Sequence, residues 1–224
     1  KRRFLMDKVL LNLLTGTAST GVSITKGDET LISISIETGI RQSETIFKMI
    51  KDAFSYVDLT IKDIDAVSTL KGPGSFTGLR VGLAAAKAIA FAVHVPIVLV
   101  DTMDAIFYEA NYEKDVLTIM DARRERVYLK KHYGDERTDE ISEVAAIEPR
   151  KNTVVVGENA LKYKEIFTEK GYTFIPKKDV YLTIKGLTEA ALQVSVDDYV
   201  DSLHSRLEYL KKDSDVVTVK KRKL

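Results

Sequence analysis

No cysteine occurs in the chain, which excludes disulfides, thiolate metal sites and cysteine nucleophiles and fits a reducing compartment. Histidine is nearly as scarce. His94, His132 and His204 are the only three, and they lack the i, i+4 spacing that puts two metal ligands on one helix face. Each reads as a surface or structural residue. Excess charge is missing too: 34 Lys plus Arg against 33 Asp plus Glu leave +1, which gives no general attraction to nucleic acid or anionic membrane. No apolar run approaches the ~18 residues that cross a bilayer, and no apolar leader opens the chain. The expectation is a cytoplasmic protein whose natural start is Met6. Basic residues gather at the ends, Lys1, Arg2 and Arg3 on one side and Lys220, Lys221, Arg222 and Lys223 on the other. The segments 1–5 and 213–224 therefore read as charged tails.

What is present supports a sizeable core: 224 residues, 45% of them hydrophobic, enough for one large domain or two small ones. Apolar runs and turn residues place strands at 9–14, 22–26 and 30–37, the last alternating Ile32, Ile34 and Ile36 with serines. "KGDE" makes the hairpin turn before that strand. A helix over 43–57 is predicted, capped by Ser43, with Ile46, Ile50, Phe54 and Val57 on its apolar stripe and Phe47 widening it. A strand at 65–70, a helix from about 77 to 93, a strand at 96–100 and a short helix capped by Thr102 complete a first unit, 6–110. The second, 111–212, opens with strand, charged turn and strand over 115–133. A strand at 153–157, a helix ending at Gly171 and helical sequence over 184–212 follow, with a break near Asp197 and Asp198. Two β-rich halves, each closing with helices, imply a mixed α/β fold with a duplicated architecture.

The least ordinary stretch is "STLKGPGSFTGLRVGLAAAKAIA" at 68–90. A glycine-rich turn between strand and helix can hold an anion on backbone N–H groups, here with Gly72, Gly74, Ser75, Thr77 and Arg80. Its letters fit neither phosphate fingerprint, since Leu79 and Arg80 stand where a P-loop needs Lys and Ser/Thr, and Thr77 stands at the third glycine of the dinucleotide pattern. Ser75 also fails the nucleophile-elbow spacing, because two residues separate it from Gly78; a loop-capping hydroxyl suits it better. Gly78, Gly82, Ala86 and Ala90 recur every fourth residue, with Ala85 beside them. Gly82 costs a helix ~1 kcal/mol relative to alanine, and the usual return is close backbone approach. Packing inside the same domain and pairing with a helix of another subunit are the two readings of that ridge. The turn Asp121, Arg123, Arg124, Glu125, Arg126 reads as a solvated hairpin tip, or as a contact for an anionic partner.

"KGPGSFTGLRVGLAAAKAIA" closely resembles the segment that marks the TsaB (YeaZ) family, approximately GPGSFTGxRxGxxxAKGxA. "RQSETIFKMIKDAF", "VPIVLVDTMDAI", "IMDARRERVYLKKHY" and "LEYLKK" resemble further family segments in the family's order. The resemblance implies an actin/Hsp70-like (ASKHA) fold of two related subdomains. It also implies a role in making N6-threonylcarbamoyladenosine next to the tRNA anticodon, as the non-catalytic partner of TsaD, with a TsaE-like ATPase and ATP completing the cycle. Contact with tRNA is then indirect, no metal is held, and a nucleotide is conceivable only at the partner junction. In the family, pairing runs through N-terminal-subdomain helices. Carried over, the partner-facing residues are Ile46, Ile50, Phe54, Gly78, Gly82, Ala85, Ala86 and Ala90, a face that also suits a homodimer when the partner is absent. Two departures stand out: Leu13 or Leu14 falls where ASKHA nucleotide binders carry an acidic residue, and no histidine separates Gln42 from Ser43. The competing reading, an ASKHA-type ATPase or small-molecule kinase using the 72–78 loop, needs that missing carboxylate.

Overall fold

The computed structural model describes residues 7–37, 41–112, 115–134, 136–174 and 179–207. Both charged tails, Met6 and most of "LEYLKK" lie outside them. In the first half, β1 (Val9–Leu14), β2 (Thr20–Lys26) and β3 (Glu29–Ile36) form an antiparallel meander. β4 (Ala66–Gly72) then joins β1 in parallel and β5 (Ile97–Asp101) joins β4 in parallel, giving the order β3-β2-β1-β4-β5. α1 (Gln42–Ser55), α2 (Phe76–Val93) and α3 (Thr102–Ala110) are its helices.

The second half repeats the plan. β6 (Val116–Asp121), β7 (Arg126–Tyr133) and β8 (Glu136–Glu143) form the meander, and β9 (Val154–Val156) and β10 (Thr173–Phe174) extend it in parallel. The order β10-β9-β6-β7-β8 mirrors the first sheet strand for strand. Two five-stranded mixed sheets built on one plan give the mixed α/β, duplicated architecture that the two β-rich halves of the sequence imply. The sequence reading missed β8 and β10. β8 reads "ERTDEISE", without apolar alternation, because it is an edge strand and edges are kept charged; β10 has two residues.

β1 is buried along its whole length because different layers cover its two faces. Val9, Leu11 and Leu13 join Ile46, Ala53, Ala85, Ala86 and Ala90 under α1 and α2. Leu10 and Leu14 face the interior between the sheets, with Ile106 of α3 and Ile184 and Leu187 of α5 (Ile184–Ala191). The layers therefore run helices, sheet, helices, sheet, and then α4 (Lys164–Glu169) with Phe167 on the outer face of the second sheet. Asn12 sits on the interior face of β1, fully buried. Burial is tolerable because its amide donates to Ser23 Oγ at 3.1 Å and accepts from Ser68 Oγ at 2.5 Å. Ser23 Oγ in turn lies 2.7 Å from Thr188 Oγ1 on α5. That helix packs back on the first sheet, so the division at residue 111 describes the sheets but not the last helix.

Several local expectations are corrected. α1 starts one residue early, with Arg41 in left-handed geometry (φ 62°) as its cap and no side-chain bond, so Ser43 caps nothing. The cap of α3 is Asp101, whose carboxylate accepts from the backbone N–H of Met103 and Asp104 at 2.8 and 3.1 Å, rather than Thr102. The stretch 184–212 is not one broken helix: α5 ends at Ala191 and only a single 3-10 turn (Val196–Asp198) follows among the described residues. Among the described residues, α2 is the one helix long and apolar enough to cross a membrane by length and composition, with mean hydropathy 1.5 over 18 residues, contrary to the expectation that no such run exists. Here it lies on β4 with Gly and Ala against the sheet.

Candidate partner face and glycine loop

The glycine loop is filled by the chain itself. The backbone N–H of Ser75 donates to the Gly16 carbonyl at 2.7 Å, and Thr15 Oγ1 donates to the Gly78 carbonyl at 2.7 Å. Gln42 at the start of α1 completes the staple: Gly16 N–H donates to its Oε1 at 3.1 Å, while its Nε2 donates to the carbonyls of Thr17 and Ser19 at 3.1 and 3.3 Å. A Cβ at Gly78 would stand 2.5 Å from Gly16 Cα, and one at Gly74 2.7 Å from the Gly16 carbonyl. These two glycines are therefore required by the turn after β1 pressing on the helix start, which accounts for them without an anion. Gly72, at φ 122°, has the backbone freedom that only glycine offers cheaply. Ser75 is the N-cap of α2, accepting from Gly78 N–H at 3.4 Å, the loop-capping role expected of it. Thr77 and Arg80 point outward, Arg80 with its guanidinium 3.7 Å from the centre of the Phe76 ring.

The glycine–alanine ridge faces inward, which corrects its assignment as a partner surface. Gly78, Gly82, Ala85, Ala86 and Ala90 are all buried, and a Cβ at Gly82 would collide with Thr15 Oγ1 and Thr69 Oγ1 of the first sheet's layer. Ile46 and Ile50 are core residues of the same layer, and Phe54 is half-buried. Fourfold spacing identified the face correctly but not its direction, since small residues serve helix-on-sheet and helix-on-helix contact alike. The outward faces carry a different set. Phe47 on α1 and Phe76 and Phe91 at the two ends of α2 are 53%, 53% and 62% exposed, with exposed Ala84 and Ala88 on α2 between the latter two. Three phenylalanines are thus left outside on the two helices of one layer. Phe47 stood out in the sequence as the residue that widens the α1 stripe.

Between the halves lies a cavity of about 560 Å³ whose walls come from β4, β5, α3, β7 and the turns after α5. Lys130 of β7 crosses it to reach Asp104 Oδ2 at 2.8 Å and Asp101 Oδ1 at 3.6 Å. His132 is buried there, stacked on Phe107 with ring centroids 4.1 Å apart and its Nδ1 3.9 Å from Asp104 Oδ1. His94 and His204 are exposed. Leu13 and Leu14, the two candidates for the acidic position, are the last residues of β1, and both are fully buried in apolar surroundings. Among the described residues, no group of three or more His, Asp or Glu is arranged to hold a metal ion.

At the far hairpin, burial pushes the Asp121 carboxyl up, but bonds from Tyr163, Lys162 and the Arg123 N–H outweigh it and leave the pKa below the usual range. This carboxylate pins a tip where Arg123, Arg124 and Glu125 all adopt left-handed backbone (φ 67°, 55° and 59°).

Glu158 behaves oppositely. Burial raises its pKa above 4.5 despite bonds from the Leu182 and Ala18 N–H groups. The folded state holds this proton more tightly than the unfolded one, so stability falls as pH rises from the ordinary carboxylate value through the raised one. Glu158→Gln, which keeps an acceptor and removes the charge, is expected to melt higher than wild type at pH 8. The gap should shrink toward pH 4, as followed by circular dichroism; an equal gap at both pH values would contradict the assignment.

The family model described as TsaD, tRNA N6-adenosine threonylcarbamoyltransferase, matches residues 37–219. A tRNA threonylcarbamoyladenosine biosynthesis protein TsaB from Buchnera aphidicola (subsp. Acyrthosiphon pisum) is 28% identical over 171 residues, covering 74% of this chain and 70% of its own. Its counterpart from Haemophilus influenzae is 30% identical over 130 residues, 56% of this chain and 54% of its own. The solved structure of YeaZ from Pseudomonas aeruginosa shares the fold, with a TM-score of 0.76 over 91% of this chain and 100% of that one at 19% identity. The chain belongs to the TsaD family and, within it, sits with the TsaB (YeaZ) proteins.

Proposed function

We propose that this chain is a non-catalytic subunit in tRNA threonylcarbamoyladenosine biosynthesis, pairing with a TsaD-like protein while a TsaE-like ATPase and ATP complete the cycle. The observation that carries the reading is the outward apolar face of α1 and α2, Phe47, Phe76 and Phe91 with Ala84 and Ala88 between the last two. The small alanines let a partner helix approach closely, and the phenylalanines anchor it. In the absence of that partner the same face serves self-association. The kinase reading finds less support, because the loop it needs is occupied by the Gly16 turn and β1 ends in a buried leucine. The work is placed in the cytoplasm, and tRNA is reached through the partner.

The test is a double variant, Ala88→Arg with Phe91→Asp, on exposed positions that leave the core alone. Its melting temperature should match wild type while its affinity for the TsaD-like partner falls about 30-fold or more, the ~2 kcal/mol of an interface anchor. Threonylcarbamoyl transfer reconstituted with the TsaD-like and TsaE-like proteins should fall with it. Wild-type affinity in this variant would remove the face from the interface.

A further inference from the structure

We propose that the cavity between the halves is a binding site for a short peptide, held by main-chain pairing with the open edge of β5. In the order β3-β2-β1-β4-β5, β5 is the last strand. Its register with β4 pairs Val67 with Ile97 and Thr69 with Leu99, and Val67 N–H donates to the Pro96 carbonyl. In a parallel ladder the residue opposite a bonded residue turns its own N–H and C=O the other way. Ile97 and Leu99 therefore both present amide groups to the outer edge. Ile97 is satisfied there, exchanging both bonds with Val200 at 2.8 and 2.9 Å. The next antiparallel partner, opposite Leu99, would be Asp198, but the chain has already turned into the 3-10 turn Val196–Asp198. No hydrogen bond to the outward groups of Leu99 is formed among the described residues.

Leu99 lines the cavity together with Asp198, so the missing ladder position is a walled recess of about 560 Å³, within the range of small-molecule sites. From Leu99 to the end of β5 at Asp101 is two residues, or about 7 Å of strand, which limits the pairing to a di- or tripeptide. What complements one outward N–H and one outward C=O is another extended amide. The remaining wall carries both charge signs: Lys130 is paired with Asp104 at 2.8 Å, and Lys71 and Asp198 line the recess with Tyr108 and Gln193. A free peptide brings both signs at its ends together with the amide between them, whereas a free amino acid has the charges and no amide. This site shares no residue with the outward helix face and stands or falls separately from the pairing with a TsaD-like protein.

Amide hydrogen exchange of the 15N-labelled full chain, read by NMR, tests it with tri-L-alanine as probe and L-alanine as control. Leu99 N–H should exchange rapidly in the free protein and slow at least 10-fold with saturating tripeptide, with no change from L-alanine. Leu99→Pro removes the outward donor without touching the β4 ladder, a substitution edge strands tolerate, and should abolish the tripeptide-induced shifts. Val194→Phe, filling the recess from the side, should abolish them with Leu99 N–H still exchanging rapidly, and it decides the matter should the proline variant not fold. Protection of Leu99 in the free chain, equal effects of tripeptide and L-alanine, or no slowing with the tripeptide would each overturn the proposal.

Discussion

Gly82→Leu is expected to leave no cooperative unfolding transition, whereas Ala84→Leu, two residues along the same helix, should melt like wild type. The difference comes from direction alone. A Cβ at position 82 meets Thr15 Oγ1 and Thr69 Oγ1, both hydroxyls on residues 1% exposed, and Thr15 is already committed to the Gly78 carbonyl at 2.7 Å. Neither neighbour is the far end of a flexible side chain, so four extra carbons must displace α2 from the sheet or open the turn after β1. Overpacking usually costs 1–3 kcal/mol. A whole isobutyl group at a position that refuses a methyl exceeds that range, of the order of the total stability of a marginal domain. Gly82→Ala gives the sharper reading. Helix propensity alone predicts stabilisation of ~1 kcal/mol, while the collision predicts a loss, so the sign of the change in a denaturant titration decides which governs. We expect a loss, with soluble protein still recovered. A stabilised Gly82→Ala variant would mean that α2 stands farther from Thr15 and Thr69 than the structure places it.

That same helix shows what could be read from the letters and what could not. Period and composition gave α2 its limits to within a residue and the ridge of small residues its membership, because a 3.6-residue repeat fixes which side chains share a face. They did not say whether the ridge looks in or out. A glycine or alanine makes an equally good neighbour for a strand and for a foreign helix. The information that decides lay in the other face: Phe76 and Phe91 are large and apolar, and on an inward-packed ridge they have nowhere to go but outside. The first meander was legible because its strands alternate or are uniformly apolar. β8 was not, since a charged edge strand gains its place from backbone pairing, which no side-chain pattern records. The cavity is a still more distant case. Lys130, Asp101 and Asp104 are separated by the length of α3 and two strands, and no local spacing brings a lysine of one sheet to carboxylates of the other.

That lysine carries the second large effect, because it is the charged tie between the two halves. Its side chain is 9% exposed and Asp101 is 10% exposed, while Asp104 is 34% exposed. Lys130→Ala removes the cation and leaves two carboxylates facing each other across the place it held. Breaking a buried pair from one side typically costs 3–5 kcal/mol. Asp104 keeps some access to water and Asp101 keeps the α3 N–H groups it caps, which puts the expected cost toward the low end, about 3 kcal/mol. For a chain of this size that corresponds to a fall in melting temperature of roughly 6–12 °C. The cause can be separated from simple loss of packing. Lys130→Met restores most of the volume but not the charge, so it should recover little at pH 7, and Lys130→Met combined with Asp104→Leu should recover more of the loss, because then only the Asp101 carboxylate, held by the α3 N–H groups it caps, still faces Lys130's former position. If Lys130→Met alone restores wild-type stability at pH 7, the lysine contributes volume rather than charge.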